Sequence, residues 1–263
     1  MSSGTPYWTH ILDDFVAFCS QYYPVIRPTI VGASVEEVED LEEMIGIPLP
    51  PEYGAFLRTM GNTSPHTLGK FLQYSTFGVR AVKDFYGIPG IRAPRDAVYL
   101  WTYEVDTPYD IFIRTGGGEC DGRPLVQCGW SVDPDSGALL DEEPDEVLLG
   151  GSLLQFLYED AFLSLRDPLL PYVAELREPT TTAVSEERHL GLIAAFRTVA
   201  ERLDFKLVAF MNGAHVFYNR PDASLKLYAQ PSADVIYGRA RDERELARIC
   251  EILSDSLDVV RWG

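Results

Sequence analysis

The sequence predicts an α+β protein in which helices pack on a mostly antiparallel sheet and a small two-layer α/β sandwich follows. Three observations predict it. A helix–proline–helix corner with strong boundary signals occupies Ser34 to Asn62, short aromatic-rich β-type runs follow between Phe71 and Trp130, and beyond Glu186 the signals run helix, four strands, helix. The predicted domains are residues 7–177 and 188–263, joined by a linker at 178–187.

Residues 7–22 place Ile11, Phe15, Phe18, Cys19 and Tyr22 at helical spacing, and Pro24 stops that helix; His10 lies beside the stripe and reads as a surface residue. Ser34 followed by Glu37 has capping-box spacing, so a second helix starts there, with Val35, Val38, Leu41 and Ile45 as its apolar stripe. Gly46 supplies a left-handed C-cap, and Pro48, Pro50 and Pro51 forbid continuation and keep the connector extended. Pro51 then suits the first turn of a third helix, where Tyr53, Phe56, Leu57 and Met60 face inward before Gly61.

The run Glu42-x-x-Ile45-Gly46-x-x-Leu49-Pro50-x-x-Tyr53-x-x-Phe56-Leu57 resembles the N-terminal signature of the SUKH superfamily (Smi/Knr-type domain), whose fold is shared by a fungal cell-wall regulator and many bacterial toxin-immunity proteins. The family places Asn-Gly three residues after Phe-Leu, whereas this chain has Gly61-Asn62. Ser152-x-x-x-Phe156-Leu157 is similar to the closing helix of the same fold, so the resemblance spans about residues 8–166.

After the corner, β-type runs are expected at Phe71–Tyr74, Ala97–Val105, Tyr109–Arg114 and Leu125–Trp130, with a hairpin across Asp106-Thr107-Pro108. Lys83–Pro94 and Thr115–Pro124 show no helical periodicity and read as loops. Asp133 to Glu146 holds seven acids and no base; it lacks the Asp-x-Asp-x-Asp-Gly order of an EF-hand and reads as a solvated turn. Ser152 and Gln155 form a second capping-box pair, and a further helical turn or two is expected near Leu169–Leu176. Glu178–Glu187 has little to bury. A helix from Ser185 to about Leu203 turns Leu190, Ile193, Phe196, Val199, Ala200 and Leu203 inward. Lys206–Met211 and Ala214–Tyr218 flank Asn212-Gly213, a type I′ hairpin signal. Leu225–Ala229 and Val235–Tyr237 add strands, and Asp242 caps a last helix with Leu246, Ile249, Cys250, Leu253 and Leu257 inward.

The formal charge of −18 is unevenly spread: residues 1–185 carry 28 acids and 11 bases, and residues 186–263 carry 12 acids and 11 bases. A negative field repels phosphate backbones and disfavours nucleic-acid binding. It attracts a basic protein, or else simply keeps the chain in solution. The opening 22 residues have no signal-peptide pattern and no stretch approaches the ~18–20 apolar residues of a membrane span, so a cytoplasmic protein is expected. Cys19, Cys120, Cys128 and Cys250 have no zinc spacing and read as reduced packing residues, with a Cys120–Cys128 disulfide as the alternative.

No catalytic constellation is legible. His10, His66, His189 and His215 lie in separate elements, no Gly-x-Ser-x-Gly or Walker sequence occurs, and Thr115-Gly116-Gly117-Gly118 is followed by acids where a phosphate loop wants lysine. Catalytic residues, cofactor and metal are therefore all read as none, and no oligomeric state is fixed. The resemblance implies a soluble, cofactor-free immunity protein that holds a cognate toxin, a basic nuclease being the effector that suits an acidic face best. Candidate partner-binding residues are Glu104, Asp106, Asp133, Asp135, Asp141, Glu142 and Glu143, with Tyr103, Tyr109 and Trp130 as aromatic anchors. The alternatives are a regulatory scaffold of the fungal type and a secretion chaperone acting through the C-terminal domain.

Overall fold

Ser34 caps its helix with a complete capping box: its hydroxyl accepts the Glu37 N–H, the Glu37 carboxylate accepts the Ser34 N–H, and Gly46 ends the helix at φ 81. That helix belongs to the first of two compact units, Met1–Ser164 and Leu165–Gly263. The computed structural model describes residues 5–72, 77–88, 93–103, 109–116, 123–129, 145–177, 186–213, 215–229 and 234–262.

In the first unit the elements are α1 (Thr5–Tyr22), α2 (Val35–Ile45), α3 (Pro51–Met60), α4 (Pro65–Leu68), α5 (Val79–Tyr86), β1 (Ala97–Tyr103), β2 (Tyr109–Arg114), β3 (Pro124–Gly129), β4 (Asp145–Ser152) and α6 (Leu153–Ala161). The strands form an antiparallel meander in the order β1-β2-β3-β4. Aromatic rings join helices to sheet: Phe77 meets Phe56 at 5.6 Å and Trp101 at 4.6 Å, Trp101 stacks on Phe156, and Phe85 stacks on Tyr99 at 4.2 Å. Such offset and edge contacts add to the area they bury.

The corner is tied by signature residues. Glu42 Oε1 accepts the Leu49 N–H at 2.8 Å, and Tyr53, Phe56, Leu57 and Met60 are fully buried. The order Gly61-Asn62 has a local reason. A Cβ on residue 61 would lie 2.5 Å from the Leu57 carbonyl oxygen, while Asn62 Nδ2 donates to Glu37 Oε2 and its N–H to the Val31 carbonyl. Gly78 holds φ 108 with no space for a side chain against the Gly61 carbonyl.

Several expectations change. Phe71 and Leu72 lie in a turn, not a strand, with Gln73 and Tyr74 outside the described residues. Lys83–Tyr86 is helical: α5 buries Val79, Val82 and Phe85, but its eight residues are too few to show a repeated stripe. Ser152 caps α6 by accepting the Gln155 N–H, yet the reciprocal arm is absent because Gln155 Oε1 turns toward Gly151. Cys19, Cys128 and Cys250 are buried free thiols, and Cys120, the other half of the alternative disulfide, lies outside the described residues.

The second unit contains β5 (Tyr172–Arg177), α7 (Glu186–Arg202), β6 (Lys206–Asn212), β7 (His215–Arg220), β8 (Ala223–Ala229), β9 (Asp234–Ala240), α8 (Glu243–Leu257) and β10 (Val260–Trp262). They build one antiparallel sheet in the order β10-β5-β9-β8-β7-β6, with α7 and α8 packed on it around Phe196, Leu225, Leu227, Ile236, Ile249 and Leu253. Residues 172–177, read as helical and placed in the first domain, are thus a strand between β10 and β9: Ala174 and Leu176 go inward while Val173 is exposed, a period of two. The 178–185 part of the expected linker lies outside the described residues, and Glu186-Glu187 already belong to α7. Leu190 points to solvent, since the stripe of α7 begins at Leu192. Lys206 and Leu207 pair with Asn219 and Tyr218, and Asn212 with Val216, so the register shifts between Leu207 and Asn212, where Phe210 takes φ 61; Ala214, in the connection, lies outside the described residues. Asp242 caps α8 through the Arg244 and Glu245 N–H groups.

Arg166 and Asp167 are buried in this unit. Arg166 donates to Asn219 Oδ1 and to the Arg220 and Pro221 carbonyls, while Asp167 pairs with Lys226 and Arg239. Each buried charge therefore has a partner. Among the described residues no helix is long and apolar enough to cross a membrane.

Candidate protein interface

The register of the first sheet decides where the predicted site residues go. Tyr103 pairs with Tyr109, Thr102 with Asp110, Asp110 with Cys128, Cys128 with Glu146, and Gly129 with Asp145. The β1–β2 and β3–β4 connections therefore leave from the same end of the sheet. Glu104 and Asp106 belong to the first connection, and Trp130, Asp133, Asp135, Asp141, Glu142 and Glu143 to the second; all lie outside the described residues. Tyr103 and Tyr109 are brought together as cross-strand partners.

The described residues beside that end include the acids Asp110, Asp145 and Glu146. Thr102 Oγ1 donates to Asp110 Oδ1 at 2.7 Å, and Arg114 reaches Glu146 across the sheet. Burial, then the Glu146 and Asp110 carboxylates, push the Cys128 thiol up to about 12, against the opposing pull of Arg114. Burial is the larger cause, and the two carboxylates add to it in holding the thiol in its neutral form.

The two edges of the sheet differ. Along β1, Val98, Leu100 and Trp101 are at most 1% exposed, and α5 packs on the strand. Along β4, Val147, Leu148 and Leu149 are 54%, 67% and 46% exposed, although they point to alternate faces. Among the described residues β4 pairs with β3 alone. Its outer N–H and C=O groups form a template for another strand. The devices that usually blunt an edge, lysine or proline within the strand, are missing from Val147 to Gly151. The template is short, because the register shifts between Leu148 and Ser152, where Gly151 takes φ 70.

No family model, curated protein or solved structure matches this chain.

Sequence reasoning missed the apolar edge. Val147-Leu148-Leu149 directly after seven acids was the available signal, but a three-residue run has no periodicity from which to choose an element. The histidines have separate settings: His10 faces Asp14 on the exposed side of α1, His215 packs edge-on to Tyr228, and His189 Nδ1 lies 2.8 Å from buried Asp234, joining α7 to β9. Among the described residues no group of three His, Cys, Asp or Glu side chains converges as metal ligands would.

Proposed function

We propose that the chain is a non-catalytic binding protein of the toxin-immunity kind, which holds a basic protein effector against the β4 edge and the acidic end of its first sheet. The observation that carries this reading is an open, apolar edge strand, Val147 to Leu149, continuous in sequence with seven acids and no base. A strand from the partner would gain main-chain hydrogen bonds along β4 and cover the three exposed side chains. Basic residues flanking that strand would meet the acids, which speeds encounter and fixes orientation. In a nuclease effector the same acids would occupy the Lys and Arg side chains that otherwise grip phosphate. The SUKH resemblance of Glu42–Leu57 and Ser152–Leu157 supports the same reading.

The test is reconstitution. The full chain and the effector encoded beside it should comigrate on size exclusion at low salt, and their affinity should fall as salt is raised. Separate elution at low salt would reject the proposal.

A further inference from the structure

The second sheet buries one face under α7 and α8 and leaves a corner of the other face open beside β10. Ala174, Leu176, Ile236 and Val259 turn toward the helices, so by alternation Val173, Glu175, Arg177, Tyr237, Val260 and Trp262 share the opposite face. On it Val173 is 43% exposed, Val260 45% and Trp262 60%, while Tyr237 is half-buried. These apolar groups surround one ion pair. Glu175 binds Arg177, whose guanidinium lies 5.1 Å from the centre of the Trp262 ring. In the register Trp262 stands opposite Glu175 and Val260 opposite Arg177.

The two rims of this sheet differ. At the far rim β6 carries Lys206 and the register shift near Phe210, and both discourage pairing with another chain. At the near rim β10 has neither a lysine nor a register shift, and among the described residues it pairs with β5 alone.

We propose that this corner is where two copies of the chain meet in a symmetric pair, Trp262 of each lying on Val173 and Val260 of the other. A two-fold contact sets a patch against its own image, so the patch must complement itself. This one does, because its apolar groups can cover one another and its centre holds one charge of each sign. An axis passing beside that centre sets each Arg177 against the partner's Glu175. Repulsion between copies is also least here, since residues 186–263 carry a net −1 against −17 for residues 1–185. A basic partner would be drawn to the first unit instead. Three strands about 4.8 Å apart and five residues of about 3.3 Å each cover roughly 250 Å². That is well under the ~800 Å² per partner of a standard interface, so the pair is weak and forms at about 100 μM. This inference does not rest on the effector reading.

The test is sedimentation equilibrium of the full chain without effector, from about 5 to about 500 μM, on wild type and on Leu148→Lys, which removes pairing at the β4 edge. In both, the mass should rise from that of one chain toward that of two. Added to Leu148→Lys, Trp262→Glu should weaken this step about ten-fold or more at an unchanged melting temperature. Glu175→Arg and Arg177→Glu should each weaken it as well, and an equal mixture of those two variants should recover it, because every arginine then faces a glutamate across the axis. A chain that stays monomeric throughout, a dimer present in wild type and absent in Leu148→Lys, a dimer that survives Trp262→Glu, or a mixture no tighter than its components would each overturn the proposal.

Discussion

Tyr53 lies in the middle of the corner, stacked on Phe56 and fully buried, and its hydroxyl has no hydrogen-bond partner among the described residues. Burial pushes its phenol well above the usual range. A buried, unpaired hydroxyl costs about 1–3 kcal/mol. Tyr53→Phe should therefore raise the free energy of unfolding by about 1 kcal/mol, read from the urea midpoint at unchanged slope; a loss of stability would mean that the hydroxyl has a partner. Glu245 works in the opposite sense. Hydrogen bonds from Arg248 first, and then Arg220, hold its carboxyl at about 2, against the desolvation that raises it. The folded value is lower than the ~4.3 of a free glutamate, so the stabilisation is present above about pH 4.3 and is lost as pH falls toward 2. Glu245→Gln should be less stable than wild type at pH 6, with the difference shrinking over that acid window. Spacing predicted Ser34, Gly46 and Asp242 because caps act on their own neighbours. The tie from Asn62 to Glu37 was hidden, since it joins residues 25 apart.

Elements long enough to repeat an apolar stripe were legible. α1, α2, α3, α7 and α8 match their predicted spans within a few residues at each end. Helix α5 and strands β4, β5 and β10 were missed for one physical reason: three to eight residues give too few turns or alternations to separate a helix from a strand. The β4 edge was hidden further, because exposure on both faces of a strand depends on which strand lies at the rim, and sequence does not state strand order. Leu148 is 67% exposed, so Leu148→Lys should leave thermal stability within about 0.5 kcal/mol of wild type. It should also lower self-association at high concentration, as lysine on an edge strand does. A large drop in melting temperature would show that β4 is covered.

Over the whole chain, the sheet of the second unit sets the domain boundary more firmly than the composition of residues 178–187 does. β5 lies between β10 and β9, so a fragment that starts at residue 186 removes an interior strand, whereas one that starts at 165 keeps all six. Residues 165–263 should unfold in one cooperative transition and residues 186–263 should not, as judged by circular dichroism melts. Charge follows a similar division, with a net −17 in residues 1–185 and −1 in residues 186–263. The α+β class was legible in the sequence, as was the acidity of the first sheet's connections; the edge that completes the candidate interface came only from the register. The most direct measurement is hydrogen exchange of the amides from Glu146 to Leu149 with and without the basic effector. The account predicts strong protection of this strand on binding, lost in Leu148→Lys and weakened by salt; a complex that forms with these amides exchanging as fast as in the free protein would contradict it.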